Sequence, residues 1–347
     1  MKEQPSRATR KDVARLARVS EPVVSWVMSG TAKANRIPEK TALRIRRAAR
    51  KIGYRPNIWG RLLKTQKSGL LAFISSDLTD PNTAEIVKSV NAAARRRQLG
   101  LMIFDLAGDD VISEENRAAF KNCFAEGFII HSPFQNLAGS RRTFAGKPYC
   151  ILGNRGNVPA PAIEVDNVYG GELAGVHLIA AGVRRLAVIA DCADFSFVAP
   201  RLEGIRRAAA GSPCELAEPF YRPRETDAFE AGAQAVRRWQ QSGRFPDGIF
   251  AMGDMLACGA LAECARLGIR CPADVKIVGF DGTPLASYSQ PRLTTIIQPF
   301  DAMAERAIDA LVRLIGGERL KAAEVLVSPE IAVRESSVSA HHADAPE

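Results

Sequence analysis

From Ser68 onward the chain alternates short apolar runs with longer amphipathic segments, and this rhythm restricts its fold more than any other feature. Runs such as 70–74, 101–104 and 128–130 have the length of buried strands, and the segments 84–96 and 113–125 between them have helical periodicity. Similar runs follow at 149–152, 163–165, 186–189, 249–252, 275–278 and 295–297. Strands that alternate with helices build parallel sheets, so the pattern predicts an α/β body. Nine such strands favour two sheets over one.

Positive charge is concentrated at the beginning of the chain. Residues 1–67 contain 18 Lys and Arg against 4 Asp and Glu, a net charge of +14, whereas the remainder contains 29 and 34, a net charge of −5. A basic module attached to an acidic body is typical of a protein that binds nucleic acid through one small domain. The alternative is a solvated basic tail.

The basic leader has the pattern of a folded domain. Thr9 and Asp12 have the spacing of a capping box before a first helix, and Ser20 followed by Glu21 and Pro22 indicates a second. A third helix is predicted to begin near Pro38. The expected buried stripes are Val13, Ala14, Leu16 and Ala17 in the first helix and Leu43, Ile45, Ala48, Ala49 and Ile52 in the third. Two short helices with a tight connection and a supporting third predict a helix-turn-helix headpiece.

Specific motifs in this leader resemble a known family. The segments 9–14 (TRKDVA), 19–25 (VSEPVVS) and 53–57 (GYRPN) are similar to the headpiece and hinge of the lactose-repressor (LacI/GalR-type) family of transcriptional regulators. Body segments also match, namely 201–204 (RLEG), 278–281 (VGFD) and 293–295 (LTT), so the resemblance extends over nearly the whole chain. It implies an N-terminal helix-turn-helix headpiece and a two-lobed, periplasmic-binding-protein-like body with parallel sheets.

This resemblance also implies domain limits. The headpiece is expected at residues 1–55, a hinge helix and linker at 56–67, the effector-binding body at 68–340 and a tail at 341–347. The first lobe is expected at about 68–164 and 294–324, and the second at about 165–293 and 325–340. The chain is therefore expected to cross between lobes near Val165, Leu293 and Val325.

By the same resemblance, the helix that starts at Ser20 enters the major groove of DNA. The expected DNA contacts are Thr9, Ser20, Glu21, Pro22, Ser25, Trp26, Asn57, Arg61 and Leu63. Glu21 can accept a hydrogen bond from cytosine, and Leu63 matches the leucine that the family's hinge helix inserts into the minor groove. Trp26 either reads a base or packs against the third helix or the DNA backbone.

The sequence departs from the family's usual pattern at several positions. Arg18 stands where glycine is preferred in the turn, and a non-glycine residue there is strained if the turn needs a positive φ. Trp26 replaces a common arginine, and Gly253 replaces an asparagine that often precedes Asp254. We therefore expect an operator and an effector that differ from the family's commonest ones.

Polar side chains follow several predicted strands, at the edge where parallel sheets bind ligands. The candidate effector-binding residues are Asp77, His131, Phe197, Arg201, Asp254, Asp281 and Gln298. Arg201 and Asp281 match the family's effector contacts most closely, although each also has a purely structural interpretation. Carboxylates, amides and an arginine together can pair the hydroxyl groups of a buried sugar or sugar acid.

Other function classes find little support in the sequence. No nucleotide-binding, serine-hydrolase or zinc-peptidase motif is present, so neither catalysis nor a cofactor or metal is expected. The seven cysteines include no Cys-x-x-Cys pair, and no run reaches the ~18 apolar residues of a membrane helix, which favours a reduced, cytoplasmic setting.

We therefore expect a sequence-specific transcriptional repressor that is controlled by a small molecule between its lobes. A single headpiece makes few base contacts, so a homodimer on a pseudo-palindromic operator is expected. The chain ends without a leucine heptad, which predicts no tail-mediated tetramer. The alternative is a weakly specific DNA-binding protein with an altered or lost effector response.

Overall fold

The computed structural model describes residues 8–28, 32–54, 67–107, 112–131, 144, 146–156 and 158–338, and the chain divides into two units at residue 68. No helix among these residues has the length and apolar character needed to cross a membrane. The helices are α1 (Arg10–Ala17), α2 (Glu21–Met28), α3 (Glu39–Lys51), α4 (Pro81–Arg96), α5 (Glu114–Asn122), α6 (Asn167–Ala180), α7 (Val198–Ala209), α8 (Ala228–Ser242), α9 (Asp254–Arg266), α10 (Pro284–Tyr288) and α11 (Phe300–Ile315). The strands are β1 (Leu70–Ser75), β2 (Gly100–Asp105), β3 (Phe128–His131), β4 (Tyr149–Leu152), β5 (Ala162–Val165), β6 (Arg185–Ala190), β7 (Glu215–Leu216), β8 (Phe220–Tyr221), β9 (Gly248–Ala251), β10 (Lys276–Asp281), β11 (Thr294–Ile297), β12 (Glu324–Val327) and β13 (Glu330–Ala332).

The headpiece consists of α1, α2 and α3 around a small core of their own, as the apolar pattern predicts. The capping box at the start of α1 is confirmed, because Thr9 N donates to Asp12 Oδ2 at 3.0 Å and Asp12 N donates to Thr9 Oγ1 at 3.3 Å. The predicted burial of two stripe residues was wrong, because Leu16 is 45% exposed and Leu43 is 44% exposed. Three short helices that meet through alanines bury only a narrow stripe of each surface.

Arg18 ends α1 in the left-handed conformation, with φ +49° and ψ +54°. A side chain with a Cβ is disfavoured in this conformation, so Arg18→Gly is expected to stabilise the headpiece by about 0.5–1 kcal/mol. Hydrogen exchange of the α1–α3 amides in the full-length protein measures this change. Arg18→Ala is the matched control, because it removes the charge and keeps the strain. Equal protection of the glycine and alanine variants would contradict the prediction.

The first sheet of the body is fully parallel, with strand order β12-β5-β4-β3-β1-β2. The second has the order β13-β11-β10-β9-β6-β7, with β8 also paired to β6, and only the β11–β13 pair is antiparallel. Both central regions are apolar and buried, as expected for parallel sheets that are covered on both faces. The two-sheet α/β body is therefore confirmed.

Two of the expected crossings between the lobes lie elsewhere. β11 belongs to the second sheet, because Val278 of β10 pairs with Thr294 in parallel register. The chain therefore leaves the second sheet after Ile297, not at Leu293, and β12 keeps residues 324–327 in the first sheet. Backbone pairing over a whole strand decides these boundaries, and a break in the apolar pattern does not show which neighbour a strand will pair with.

Close packing of α6 against α7 depends on glycines. A Cβ on Gly204 would lie 2.0 Å from the carbonyl oxygen of Val168, and one on Gly171 would lie 2.2 Å from that of Arg201. The two helix backbones therefore approach each other at distances that only glycine permits. This contact holds the turn of α7 that carries Arg201.

Candidate functional site

The carboxyl ends of strands from both sheets face a cavity of about 510 Å³. This is the edge at which parallel sheets bind ligands, and the cavity has the size of a small-molecule site. The structure brings together six of the seven candidate effector residues on its wall: Asp77, His131, Phe197, Arg201, Asp281 and Gln298. These residues are separated by up to 221 positions in the chain, between 77 and 298.

Arg201 is the central cation of the cavity and is only 3% exposed. Its Nε donates to Asn167 Oδ1 at 2.9 Å, and its Nη1 donates to the carbonyl oxygen of Met252 at 2.6 Å. The guanidinium carbon lies 3.4 Å from the ring centroid of Phe280 and 4.3 Å from that of Phe197. Burial lowers the pKa of Arg201 to about 10, which leaves the guanidinium charged at neutral pH. One role of Phe197 is therefore to hold this cation.

Asp281 lies at the end of β10 with a φ of +115°, a conformation that non-glycine residues rarely adopt. Its Oδ1 accepts a hydrogen bond from Gln298 Nε2 at 2.8 Å. Burial raises the pKa of Asp281 well above its ordinary value, while the nearby Arg201 charge acts in the opposite direction. Such strained residues cluster at ligand-binding sites, because the surrounding structure must hold them in place.

His131 ends β3 and has a defined tautomer. Its Nδ1 lies 2.8 Å from the carbonyl oxygen of Leu152, and because a carbonyl only accepts, Nδ1 carries the proton. Burial lowers the pKa of His131, so the ring is neutral near pH 7. Its Nε2 is then a hydrogen-bond acceptor on a residue that lines the cavity.

Asp254 does not line the cavity and is 1% exposed, which corrects its assignment as an effector contact. Its Oδ2 accepts hydrogen bonds from Thr283 N at 2.7 Å and Thr283 Oγ1 at 2.9 Å, and its Oδ1 accepts one from Thr295 Oγ1 at 2.6 Å. The carboxylate therefore ties the start of α9 to the loop after β10 and to β11. A position after a strand does not reveal such distant partners.

Asp80, Asp191 and Arg222 line the cavity but were not predicted as effector contacts. Asp191 directly follows β6, and its Oδ1 lies 2.5 Å from Nε of Arg222, which directly follows β8. Asp80 caps α4 by accepting from Asn82 N at 2.8 Å, and burial raises its pKa to about 6. The Asn82 Oδ1 atom is buried without a hydrogen-bond partner among the described residues. Asp80 before Pro81 is a helix-start signal, whereas the Asp191–Arg222 pair had no local signal.

A buried hydrogen-bond chain joins the two sheets beside the cavity. Glu164 in β5 accepts from Asn167 Nδ2 at 2.8 Å and from Asn154 Nδ2 at 3.3 Å, and Asn167 in turn accepts from Arg201. Burial and the neighbouring Glu324 raise the pKa of Glu164 to about 8. The carboxyl group is therefore largely protonated near neutral pH.

This raised pKa makes stability depend on pH in a defined direction. The folded protein holds the Glu164 proton more tightly than the unfolded chain, so the stabilisation is complete below pH 4.5 and is lost as pH rises through 8. Glu164→Gln removes this dependence, and we expect the difference in unfolding free energy between wild type and variant to change by on the order of 3 kcal/mol between pH 4.5 and pH 9. Urea denaturation at both pH values measures it. A constant difference would contradict the prediction.

The candidate DNA-contact residues divide between the headpiece and a segment outside the described residues. Ser20 and Pro22 are exposed at the start of α2, Ser25 is half-buried, and Trp26 is 38% exposed. Glu21 pairs with Arg10 through Oε2, at 3.0 Å from Nε, and its second carboxylate oxygen has no bond to Arg10 in this pair. Thr9 is engaged in its capping box. Asn57, Arg61 and Leu63 lie outside the described residues.

Comparisons with known proteins match both parts of the chain. Residues 9–57 match the model for bacterial regulatory proteins of the lacI family, and residues 176–337 match the model for a periplasmic binding protein-like domain. The HTH-type transcriptional repressor CytR of Escherichia coli (strain K12) is 28% identical over 345 residues, which cover 97% of this chain and 98% of CytR.

Solved structures agree with this match. The transcriptional regulator CelR–cellobiose complex is 26% identical with a TM-score of 0.69, and the match covers 95% of this chain and 100% of that one. The structure of the lac repressor dimer bound to operator and the anti-inducer ONPF is 23% identical in sequence, with a TM-score of 0.80. The match covers 96% of this chain and 100% of the lac repressor chain, and it supports the fold described above. These relatives are regulators and not enzymes. The chain therefore consists of a lacI-family helix-turn-helix DNA-binding domain followed by a periplasmic-binding-protein-like domain, the organisation of a transcriptional regulator.

Proposed function

We propose that this protein is a cytoplasmic repressor that binds a pseudo-palindromic operator as a homodimer and responds to a sugar or sugar acid in the cavity of its body. The observation that carries the proposal is the convergence of Arg201, Asp281, Gln298 and His131 on one cavity, in a chain that also carries a lacI-family DNA-binding domain. A cavity with donors and acceptors on both sheets can satisfy several hydroxyl groups at once.

Two relatives support parts of this proposal. CelR has been solved with cellobiose, which supports a sugar as the ligand class. The lac repressor has been solved as a dimer on its operator, which supports two-fold binding of DNA. A dimer also doubles the number of base contacts, and this is needed because one headpiece makes too few contacts to recognise a specific DNA sequence.

The proposed control is a shift between two arrangements of the lobes. Arg201 and Asp281 belong to the second lobe and His131 to the first, and Asn167 joins Arg201 to Glu164 of the first sheet. A ligand that contacts both lobes binds one arrangement better than the other and shifts the population toward it. Release of DNA and promotion of DNA binding are both possible outcomes of such a shift.

Capture of sheared genomic DNA by the full-length protein at moderate salt, followed by sequencing, tests the proposal. We expect a shared pseudo-palindrome in the retained fragments. Trp26→Ala is expected to reduce its enrichment about tenfold or more, because a lost base contact is worth ~1–3 kcal/mol.

Uniform capture that depends steeply on salt would replace this proposal with the alternative, a weakly specific DNA-binding protein, because phosphate contacts alone give that behaviour. Two observations favour this alternative: the left-handed conformation of Arg18, and the presence of Trp26 where the family commonly has arginine. Arg18→Gly and Trp26→Arg would then be the first variants to test for recovered specificity.

A further inference from the structure

Acidic side chains outnumber basic ones on the wall of the cavity. Seven aspartates or glutamates and three arginines line it, with no lysine among the described lining residues, and six acidic groups remain when the largely protonated Glu164 is left out. A site that binds a carboxylate or a phosphate usually has the opposite balance, because an anion in a partly desolvated cavity is repelled by fixed negative charges. The charge balance therefore disfavours an anionic ligand.

All three arginines are already engaged by the protein. Arg201 donates to Asn167 and Met252 through two of its nitrogens, and Arg222 pairs with Asp191 and donates to the carbonyl oxygen of Thr226 at 2.9 Å. Arg224 pairs with Asp194. A carboxylate or phosphate is bound best when it accepts two parallel hydrogen bonds from one guanidinium. The contacts above already occupy some of the N–H donors of each arginine, so fewer remain for such a ligand.

Helix N-termini are the other common anion sites, and carboxylates occupy most of those at the cavity. Asp80 caps α4, and Asp227 caps α8 by accepting from Phe229 N at 2.8 Å and Glu230 N at 3.2 Å. Asp254 lies in the first turn of α9, but its carboxylate is bound by Thr283 and Thr295 and does not line the cavity. Among the described helices that begin at the cavity, α7, which begins at Val198, is the one that lacks both an acidic residue in its first turn and a side-chain cap.

The wall also presents hydrogen-bond acceptors to which sugar hydroxyl groups can donate. The Asn82 Oδ1 atom is buried without a partner among the described residues, and His131 presents Nε2 as an acceptor. Asp80 and Asp281 add carboxylate oxygens. A matching ligand supplies donors to these acceptors, as sugar hydroxyl groups do, and its own oxygens can accept from Arg201 and from the serine and threonine hydroxyl groups of the wall.

We propose that the cavity selects uncharged sugars over sugar acids and sugar phosphates, and that Asp80 and Asp227 determine this selectivity by placing carboxylates where two helix N-termini would otherwise bind an anion. This inference rests on the proposed sugar response and narrows its ligand class. Both residues act through charge, so an isosteric amide at either position relaxes the selectivity while it still caps its helix.

The test uses the full-length protein and matched neutral and anionic probes. Isothermal titration calorimetry at pH 8 compares D-glucose with D-glucuronate and D-glucose 6-phosphate, and D-galactose with D-galacturonate. D-Xylose, D-ribose and cellobiose are further neutral probes. The variants are Asp80→Asn and Asp227→Asn. Asp166→Asn is the matched control, because Asp166 caps α6 by accepting from Tyr169 N at 2.9 Å and does not line the cavity.

We expect the wild-type protein to bind its best neutral probe at least about tenfold more tightly than any anionic probe. Asp80→Asn and Asp227→Asn are each expected to reduce this ratio about three- to tenfold, and Asp166→Asn to leave it unchanged. An anionic probe that binds most tightly, or a ratio that neither variant changes, would overturn the selectivity while the sugar response stands. Absence of binding by every probe would overturn the sugar response and the selectivity together.

Discussion

Gly204→Ala is expected to lower the free energy of unfolding by about 3 kcal/mol and to weaken ligand binding at the same time. The new methyl group would lie 2.0 Å from the carbonyl oxygen of Val168 and 2.5 Å from Glu172 N, both of them backbone atoms. Backbone atoms cannot rotate away, so α7 must move from α6 and carry Arg201 with it. Urea denaturation followed by circular dichroism measures the stability change.

Gly243→Ala is the matched control for this substitution. Gly243 ends α8 with a φ of +67°, and a Cβ there would meet nothing within 4 Å. Only backbone strain is added, so a loss of about 1 kcal/mol is expected. Similar losses of unfolding free energy for the two variants would show that α6 and α7 are not in tight contact at Gly204 and that this contact does not position Arg201.

Arg201→Lys is expected to weaken sugar binding about 100-fold or more and to destabilise the body by about 2–4 kcal/mol. A lysine ammonium cannot lie flat between Phe197 and Phe280, nor can it donate to both Asn167 and Met252 in the same geometry. The buried carbonyl and amide oxygens that lose their donor account for the stability loss. Titration with the neutral sugar that binds the wild-type protein most tightly measures the affinity.

Arg224→Lys provides the control for this second substitution. Arg224 also lines the cavity, but its side chain is 47% exposed and pairs with Asp194 in that exposed position. Surface ion pairs contribute ~0–1 kcal/mol, so little change in stability and at most a few-fold change in affinity are expected. Retention of sugar affinity within threefold in Arg201→Lys would refute the central role of this guanidinium.

Much of the fold could be predicted because its signals are local. The capping box of Thr9 and Asp12, the apolar strand cores and the strand–helix alternation act over a few residues, and the structure confirms the headpiece helices and the two-sheet body. Leu16 and Leu43 were misjudged because helical periodicity marks an apolar stripe but not its width. Stripe width depends on how closely the neighbouring helices approach.

The cavity could be predicted only in part. His131, Arg201, Asp281 and Gln298 were identified from strand ends and from the family resemblance, and the structure brings them together. Asp254 satisfied the same criterion but points to Thr283 and Thr295, and the Asp191–Arg222 pair depends on the pairing of β6 with β8. Side-chain direction and long-range partners are not encoded in local spacing.

By itself, the sequence determined the charge division, the helix-turn-helix headpiece, the parallel α/β class and the family. The first three follow from composition, capping and periodicity, which are properties of neighbouring residues, and the family follows from the resemblance of short motifs such as residues 9–14 and 53–57. Only the tertiary structure decided that β11 stays in the second sheet, that Arg201 is held between two rings, and that the helix starts capped by Asp80 and Asp227 meet at one cavity. Each of these depends on contacts between residues far apart in the chain, whose energies exist only after the sheets and helices have packed.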